Sequence, residues 1–237
     1  MSLSLRSVPI ATAAGLAIIT LAAWAALLAG MPMTDPATFL VAWIVMMAAM
    51  MLPSSAPLFL LYRLSAGDGS RSELRTLALV AGYLLVWAFV GVIVLIAQRI
   101  LDAAFDPGSR PLGVAAVFVA AGTYQFTPLK ATCLRACQTP ADFLVRHWRG
   151  GMLGAIRLGV DHGLYCLGCC WALMLVLVVA GSMGLGWVVF VAAVVFAEKL
   201  LPRGAAFGRA LGIALVIAGI LLAARPDLVP FVANDRM

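Results

Sequence analysis

Soft donor side chains crowd one short stretch of the chain. Between Asp161 and Trp171 the sequence reads Asp-His-Gly-Leu-Tyr-Cys-Leu-Gly-Cys-Cys-Trp and then runs into strongly apolar residues. On a helix, His162, Cys166 and Cys170 rise one above another at i,i+4 spacing, and Cys169 lies on a neighbouring ridge that meets His162 again after two turns. An imidazole and three thiols at the start of a membrane-type segment are expected to have partners or a function. Thiolate and imidazole select soft metals, which makes copper(I) the leading cation for this set and zinc the alternative. Octahedral, oxygen-loving ions would need more carboxylates than the region offers. Haem ligation by His162 is disfavoured, because no Cys-x-x-Cys-His accompanies it.

A second thiol pair, Cys133 and Cys137, is again four residues apart and follows a proline at 128. All five cysteines fall between 133 and 170, towards the face read below as cytoplasmic, where a reducing environment argues for metal ligands or redox thiols over structural disulfides. Cys166-Leu-Gly-Cys169 also matches a redox Cys-x-x-Cys, although no soluble βαβ pattern precedes it. The plain alternative is that cysteines in membrane helices are small packing residues; His162 weighs against it, since packing explains an imidazole poorly.

Other side chains qualify as accessories. Met46, Met47, Met50 and Met51 form two i,i+4 pairs whose thioethers are soft donors, though apolar helices more often use methionine to fill gaps. Gln125 and Lys130 flank a break in the fourth apolar segment. Asp161 would orient the neighbouring His162 ring or, more economically, pair with Arg157 four residues earlier. Glu198 either marks a helix end in the headgroup region or, if buried, requires a cation such as Lys130, Lys199 or a metal.

The elements that must position these groups are membrane helices. Of 237 residues, 64% are hydrophobic and 11% charged, far from the balance of a soluble domain. Apolar stretches fall at roughly 9–29, 38–62, 76–98, 112–129, 152–182, 184–198 and 208–224, most long enough to cross about 30 Å of hydrocarbon. The expected fold is all-α: a polytopic bundle of about seven transmembrane helices in a single membrane domain, 1–237, with six spans if the stretch before Glu198 falls short. The first stretch begins after Arg6 and is read as a retained helix rather than a signal peptide. Pro53 predicts a kink or brief unwinding in the second span, and Pro128 a break after the fourth. The fifth stretch is too long for one perpendicular span, so a short interfacial helix is expected to turn into the true span near Gly163 or Gly168.

Basic residues orient the bundle. With the amino terminus cytoplasmic, the inner connections hold Arg63, Arg71, Arg75, Lys130, Arg135, Arg146, Arg149, Lys199, Arg203 and Arg209, joined by Arg6 and Arg157 at the inner ends. The outer ones hold Arg99, Arg110, Arg225 and Arg236, which puts the carboxyl terminus outside. The formal charge of +6 therefore belongs to topology. Nucleic acid is excluded as a partner, because the basic residues are scattered over short loops without stacking aromatics. The partners are the lipid bilayer and, for a metal carrier, another membrane protein or a metallochaperone. Apart from a thiol redox centre no catalytic constellation is visible, which makes an enzyme the less favoured class.

Four motifs together resemble the DUF2182 family of bacterial integral membrane proteins, described as predicted metal-binding: Met50-Met-Leu-Pro-Ser-Ser-Ala-Pro57; Tyr124-Gln-Phe-Thr-Pro-Leu-Lys130 with Cys133 and Cys137; His162-Gly-Leu-Tyr-Cys-Leu-Gly-Cys-Cys-Trp171; and Glu198-Lys199-Leu200. The likeness covers about residues 38–205. It implies a multi-pass protein of the bacterial inner membrane in which Cys133, Cys137, His162, Cys166, Cys169 and Cys170 are the metal-associated positions, with Gln125, Lys130 and Glu198 as polar positions near the same face. The expected function is copper(I) handling, as an assembly factor or permease. A noncatalytic subunit or scaffold of a larger membrane complex is the alternative, and a thiol redox protein the third reading.

Overall fold

The computed structural model describes residues 4–67, 69–104, 110–179 and 184–225, with side chains described for 10–67, 69–100, 111–179 and 184–225. Asp68, the end of the fifth apolar stretch at 180–182, and the side chains of Arg6, Arg110 and Arg236 lie outside these ranges. Every regular element among the described residues is an α-helix: α1 (Ser4–Leu28), α2 (Pro36–Ser65), α3 (Ser70–Ala104), α4 (Arg110–Tyr124), α5 (Pro128–Gln138), α6 (Pro140–His147), α7 (Gly151–Val179), α8 (Leu185–Leu200) and α9 (Gly204–Ala224). Five of them are long and apolar enough to cross a membrane, and six spans result if α4 and α5, bent by 66° at residues 125–127, count as one. The remaining stretch, α8, begins directly after Gly184 but has 16 residues, about 24 Å at 1.5 Å per residue and short of a perpendicular crossing. The connection expected at 130–151 is itself largely helical, as α5 and α6.

The chain divides into two compact units, Met1–Leu95 with Arg135–Leu167, and Ile96–Leu134 with Gly168–Met237. In the first, α1 packs along α2, and α2 meets α6. Asp35 starts α2: its carboxylate accepts from the Ala37 and Thr38 amides at 2.9 and 3.1 Å, while the Asp35 amide donates to Thr38 Oγ1 at 3.2 Å. This reciprocal box satisfies amides that the first turn would otherwise leave open, and Pro36 has none to satisfy. Of the kink or brief unwinding expected at Pro53, no unwinding occurs: α2 runs as one helix through both Pro53 and Pro57.

No break occurs at Gly163 or Gly168 either; α7 is continuous over 29 residues. Its glycines serve close packing rather than bending. A Cβ on Gly159 would run into the Leu79 carbonyl of α3, and one on Gly163 would lie 2.9 Å from Val86 Cγ2. On α3, Gly82 likewise lies against the Ile156 carbonyl. Small residues let the two helices approach backbone to backbone, the usual source of helix affinity in lipid, where water supplies no drive. Trp43 adds a buried tie from α2, its Nε1 donating to the Trp87 carbonyl at 2.9 Å.

In the second unit α9 packs on α4 and α8. Contact again runs through glycine: a Cβ on Gly212 would lie 2.8 Å from the Gly122 carbonyl, and one on Gly219 would lie 2.8 Å from that of Ala115. Between α4 and α5 the chain turns tightly, with Gln125, Phe126 and Thr127 amides donating to carbonyls three residues back at 3.2, 3.1 and 3.0 Å. Pro128 then opens α5, where its missing N–H costs nothing.

Candidate metal centre

The first unit holds His162 and Cys166, one turn apart on α7 and exposed by 1% and 0%. Both meet Tyr83 of α3. The His162 ring stacks on the phenol with centroids 5.7 Å apart, and Cys166 Sγ lies 3.0 Å from the Tyr83 hydroxyl. That hydroxyl also accepts a hydrogen bond from Ser55 Oγ at 3.0 Å. Ser55 belongs to the Pro-Ser-Ser-Ala-Pro segment of α2, so this segment contributes a hydroxyl to the cluster. Phe143 of α6 packs edge-on against His162 at 5.2 Å and stacks with His147 at 4.2 Å. An imidazole, a thiol and two hydroxyls thus form one buried cluster among aromatic rings, where hydrogen bonds are strengthened by the low dielectric.

The same unit contains the four methionines of α2, all buried, and Cys137, which is half-buried. Among the described residues no ion pair joins Asp161 to Arg157. Arg157 is exposed on α7 and Asp161 half-buried, so the economical pairing expected from their spacing is not made.

Cys133, Cys169 and Cys170 belong to the second unit and are all buried. The sulfur of Cys133 fills the space that a Cβ on Gly168 would need, 2.5 Å from its position, which brings α5 close against α7 at Gly168. Tyr124, at the end of α4, donates its hydroxyl to the Gly168 carbonyl, packs edge-on against Trp171 at 4.9 Å, and lies within electrostatic reach of all three thiols. All five cysteines are thiols. Among the described residues no three His, Cys, Asp or Glu side chains converge tightly enough to cage a metal. The donors lie instead in small sets, His162 and Cys166 beside Tyr83 and the three thiols of the second unit near Tyr124.

Glu198 lies near the end of α8, as expected, but is enclosed by protein. It is 1% exposed, and its Oε2 is 2.7 Å from Nζ of Lys130, itself 3% exposed. Of the cations weighed for a buried Glu198, Lys130 is one that this structure provides. The other carboxylate oxygen faces Gly208 of α9, where an added Cβ would come within 2.7 Å of it and 3.4 Å of Gln125 Oε1. Gln125, Lys130 and Glu198 therefore form a buried polar group beside the break between α4 and α5.

Sequence reasoning missed Tyr83, Ser55, Phe143 and Tyr124. A signal existed for two of them: Tyr83 is a lone phenol within an apolar run, and Ser55 a hydroxyl beside a helix proline, both in need of partners once buried.

A family model described as PpoB2, copper chaperone, matches residues 40–222. That stretch contains every motif on which the DUF2182 resemblance rests. No curated protein and no solved structure matches the chain.

Proposed function

A match over so much of the chain makes it a member of the PpoB2 copper chaperone family, and from that premise we propose that this multi-pass protein takes up copper(I) on buried soft donors and delivers it to a partner protein as an assembly factor. The observation that carries the reading is the burial of His162 and Cys166 against one hydrogen-bonded tyrosine in a segment of membrane-type helix. A polar constellation in such a place is functional by default. In the first unit the ligands are His162 and Cys166, with Cys137 as a further thiol. In the second the thiols are Cys133, Cys169 and Cys170, which serve as donors in smaller sets and not as one three-ligand cage. On this reading the protein sits in the bacterial inner membrane with its amino terminus inside; its carboxyl terminus is outside if α8, although only 16 residues long, crosses as a seventh span beside the six that length and composition support.

Copper is cargo here, and the donor chemistry fits it. Thiolates and imidazole bind copper(I) strongly, and exclusion of water protects the reduced ion. A chaperone must also release its metal, which favours donor sets that leave room for a partner's ligands over a closed cage. A permease reading draws on two features, the methionine pairs of α2 and the bent α4–α5 pair, since soft donors at other positions and interrupted helices are what passage across the bilayer would use.

Metal content of the full chain, purified in mild detergent under reducing, chelator-free conditions, tests the proposal. Near-stoichiometric copper is expected, lost in His162→Ala or Cys166→Ser with insertion and helix content intact. Unchanged copper in both variants would overturn the first-unit site, and copper-free folded protein the whole reading. Copper accumulation inside sealed proteoliposomes would favour the permease over the chaperone.

A further inference from the structure

The proline-containing segment of α2 and the donors of α7 are joined through a single side chain. Ser55 Oγ donates to the Tyr83 hydroxyl at 3.0 Å, the same hydroxyl lies 3.0 Å from Cys166 Sγ, and the Tyr83 ring stacks on His162. Tyr83 is completely buried and braced edge-on by Phe59, centroids 5.5 Å apart. A phenol has one hydrogen to give. Either atom can donate in the free protein, but a cysteine that ligates a metal as thiolate has no hydrogen, so in the metal-bound state the phenol is the donor to the sulfur.

We propose that Tyr83 is the positioning residue of the first-unit copper site: through Ser55 it is locked so that its O–H donates to Cys166 Sγ, while its ring sets the plane of the His162 imidazole. This rests on the copper reading of His162 and Cys166 and extends it to two residues outside the donor set. Donation to a ligating thiolate fixes which sulfur lone pairs face the metal and draws charge from the sulfur, and the stacked ring limits rotation of the imidazole. Groups that orient metal ligands in this way typically govern affinity by about 10–100-fold. The Ser55 contact also assigns a role to the Pro53–Pro57 segment, which holds a hydroxyl on the α3-facing side of α2.

The experiment titrates the full-length protein in detergent with copper(I) alone, against a chromophoric chelator, for Tyr83→Phe, Ser55→Ala, Cys166→Ser and the double variant Tyr83→Phe/Cys166→Ser. Tyr83→Phe keeps the ring and its packing. It is expected to weaken copper(I) about tenfold or more with stoichiometry and thermal stability nearly unchanged, and to alter the copper–sulfur distance in X-ray absorption. Ser55→Ala should move affinity in the same direction by less. In the Cys166→Ser background Tyr83→Phe should add nothing, because its effect passes through the sulfur. If Cys166→Ser lowers affinity while Tyr83→Phe and Ser55→Ala do not, the positioning role is wrong and the copper site stands. Equal effects of Tyr83→Phe with and without Cys166 would also overturn it, and loss of folding in Tyr83→Phe leaves the Ser55→Ala result to decide. Unchanged affinity in Cys166→Ser removes the site and this role together.

Discussion

Two tyrosines are tied to α7, and the comparison between their surroundings separates two ways of keeping polar groups inside a membrane protein. In the first unit Tyr83 bonds side chain to side chain, to Cys166 and Ser55, in a pocket of hydroxyls, thiol and imidazole. In the second, Tyr124 donates to a backbone carbonyl, that of Gly168, and the strong electrostatics lie in the buried Lys130–Glu198 pair. On the proposed reading the first arrangement aims donor atoms, while the second anchors helices. Breaking a charge pair leaves an uncompensated buried ion, whereas losing a hydroxyl bond costs little in stability but changes what its partner can bind.

The largest effect should therefore fall on the second unit. Lys130→Met, which removes the cation 2.7 Å from Glu198, is expected to destabilise the protein by up to about 3–5 kcal/mol, read as resistance to denaturant in detergent. Adding Glu198→Leu to it should recover most of the loss. If the single variant were as stable as the parent, the pair would contribute nothing structural. Next comes Gly159→Leu, which forces a side chain into the Leu79 backbone of α3. Overpacking typically costs about 1–3 kcal/mol, with helix separation reported by cross-linking between α3 and α7. A smaller change is expected from Tyr124→Phe, about 0.5–1.5 kcal/mol for one lost hydrogen bond, with copper affinity in the first unit untouched. Measured beside Tyr83→Phe it sharpens the contrast between an anchor and an aimed donor.

The smallest effect is at the start of α2. Hydrogen bonds from Thr38, its backbone amide first and its hydroxyl second, hold the Asp35 carboxyl below its ordinary value. A carboxylate lowered on folding contributes stability that is complete above the unfolded value near 3.8 and is lost as pH falls through the folded one. Protection of the Ala37 and Thr38 amides, taken relative to the intrinsic exchange rate at each pH, should therefore fall only at acidic pH, and Asp35→Asn, which keeps the cap, should abolish that dependence.

Much of this was legible in the chain. Long apolar stretches mark α1, α2, α3, α7 and α9, because a membrane helix needs an unbroken run of apolar side chains and little else. Pro128 announced the bend between α4 and α5, since a proline opens a new helix more readily than it continues one. Gly163 misled, and Pro53 left open whether its helix would kink or unwind, for a shared reason. A proline can be carried within a helix packed among others, and a glycine can serve a neighbour's approach rather than a turn; only the neighbour decides between these uses. Glu198 was ambiguous in the same way, as a residue three from a helix end faces lipid headgroups or protein according to what packs there.

By itself, then, the sequence determined that this is a helical membrane protein, where its apolar segments lie, and that its soft donors gather on α5 and α7. Those properties are local, set by hydrophobic length and i,i+4 spacing. Tertiary structure alone decided that Tyr83 and Ser55 join His162 and Cys166, that Tyr124 rather than Tyr83 holds the Gly168 carbonyl, and that Lys130 neutralises Glu198 across 68 residues of chain. The reason is that a hydrogen bond or ion pair between distant segments leaves no period in the sequence. It exists only once glycine-lined helix faces have brought those segments within reach.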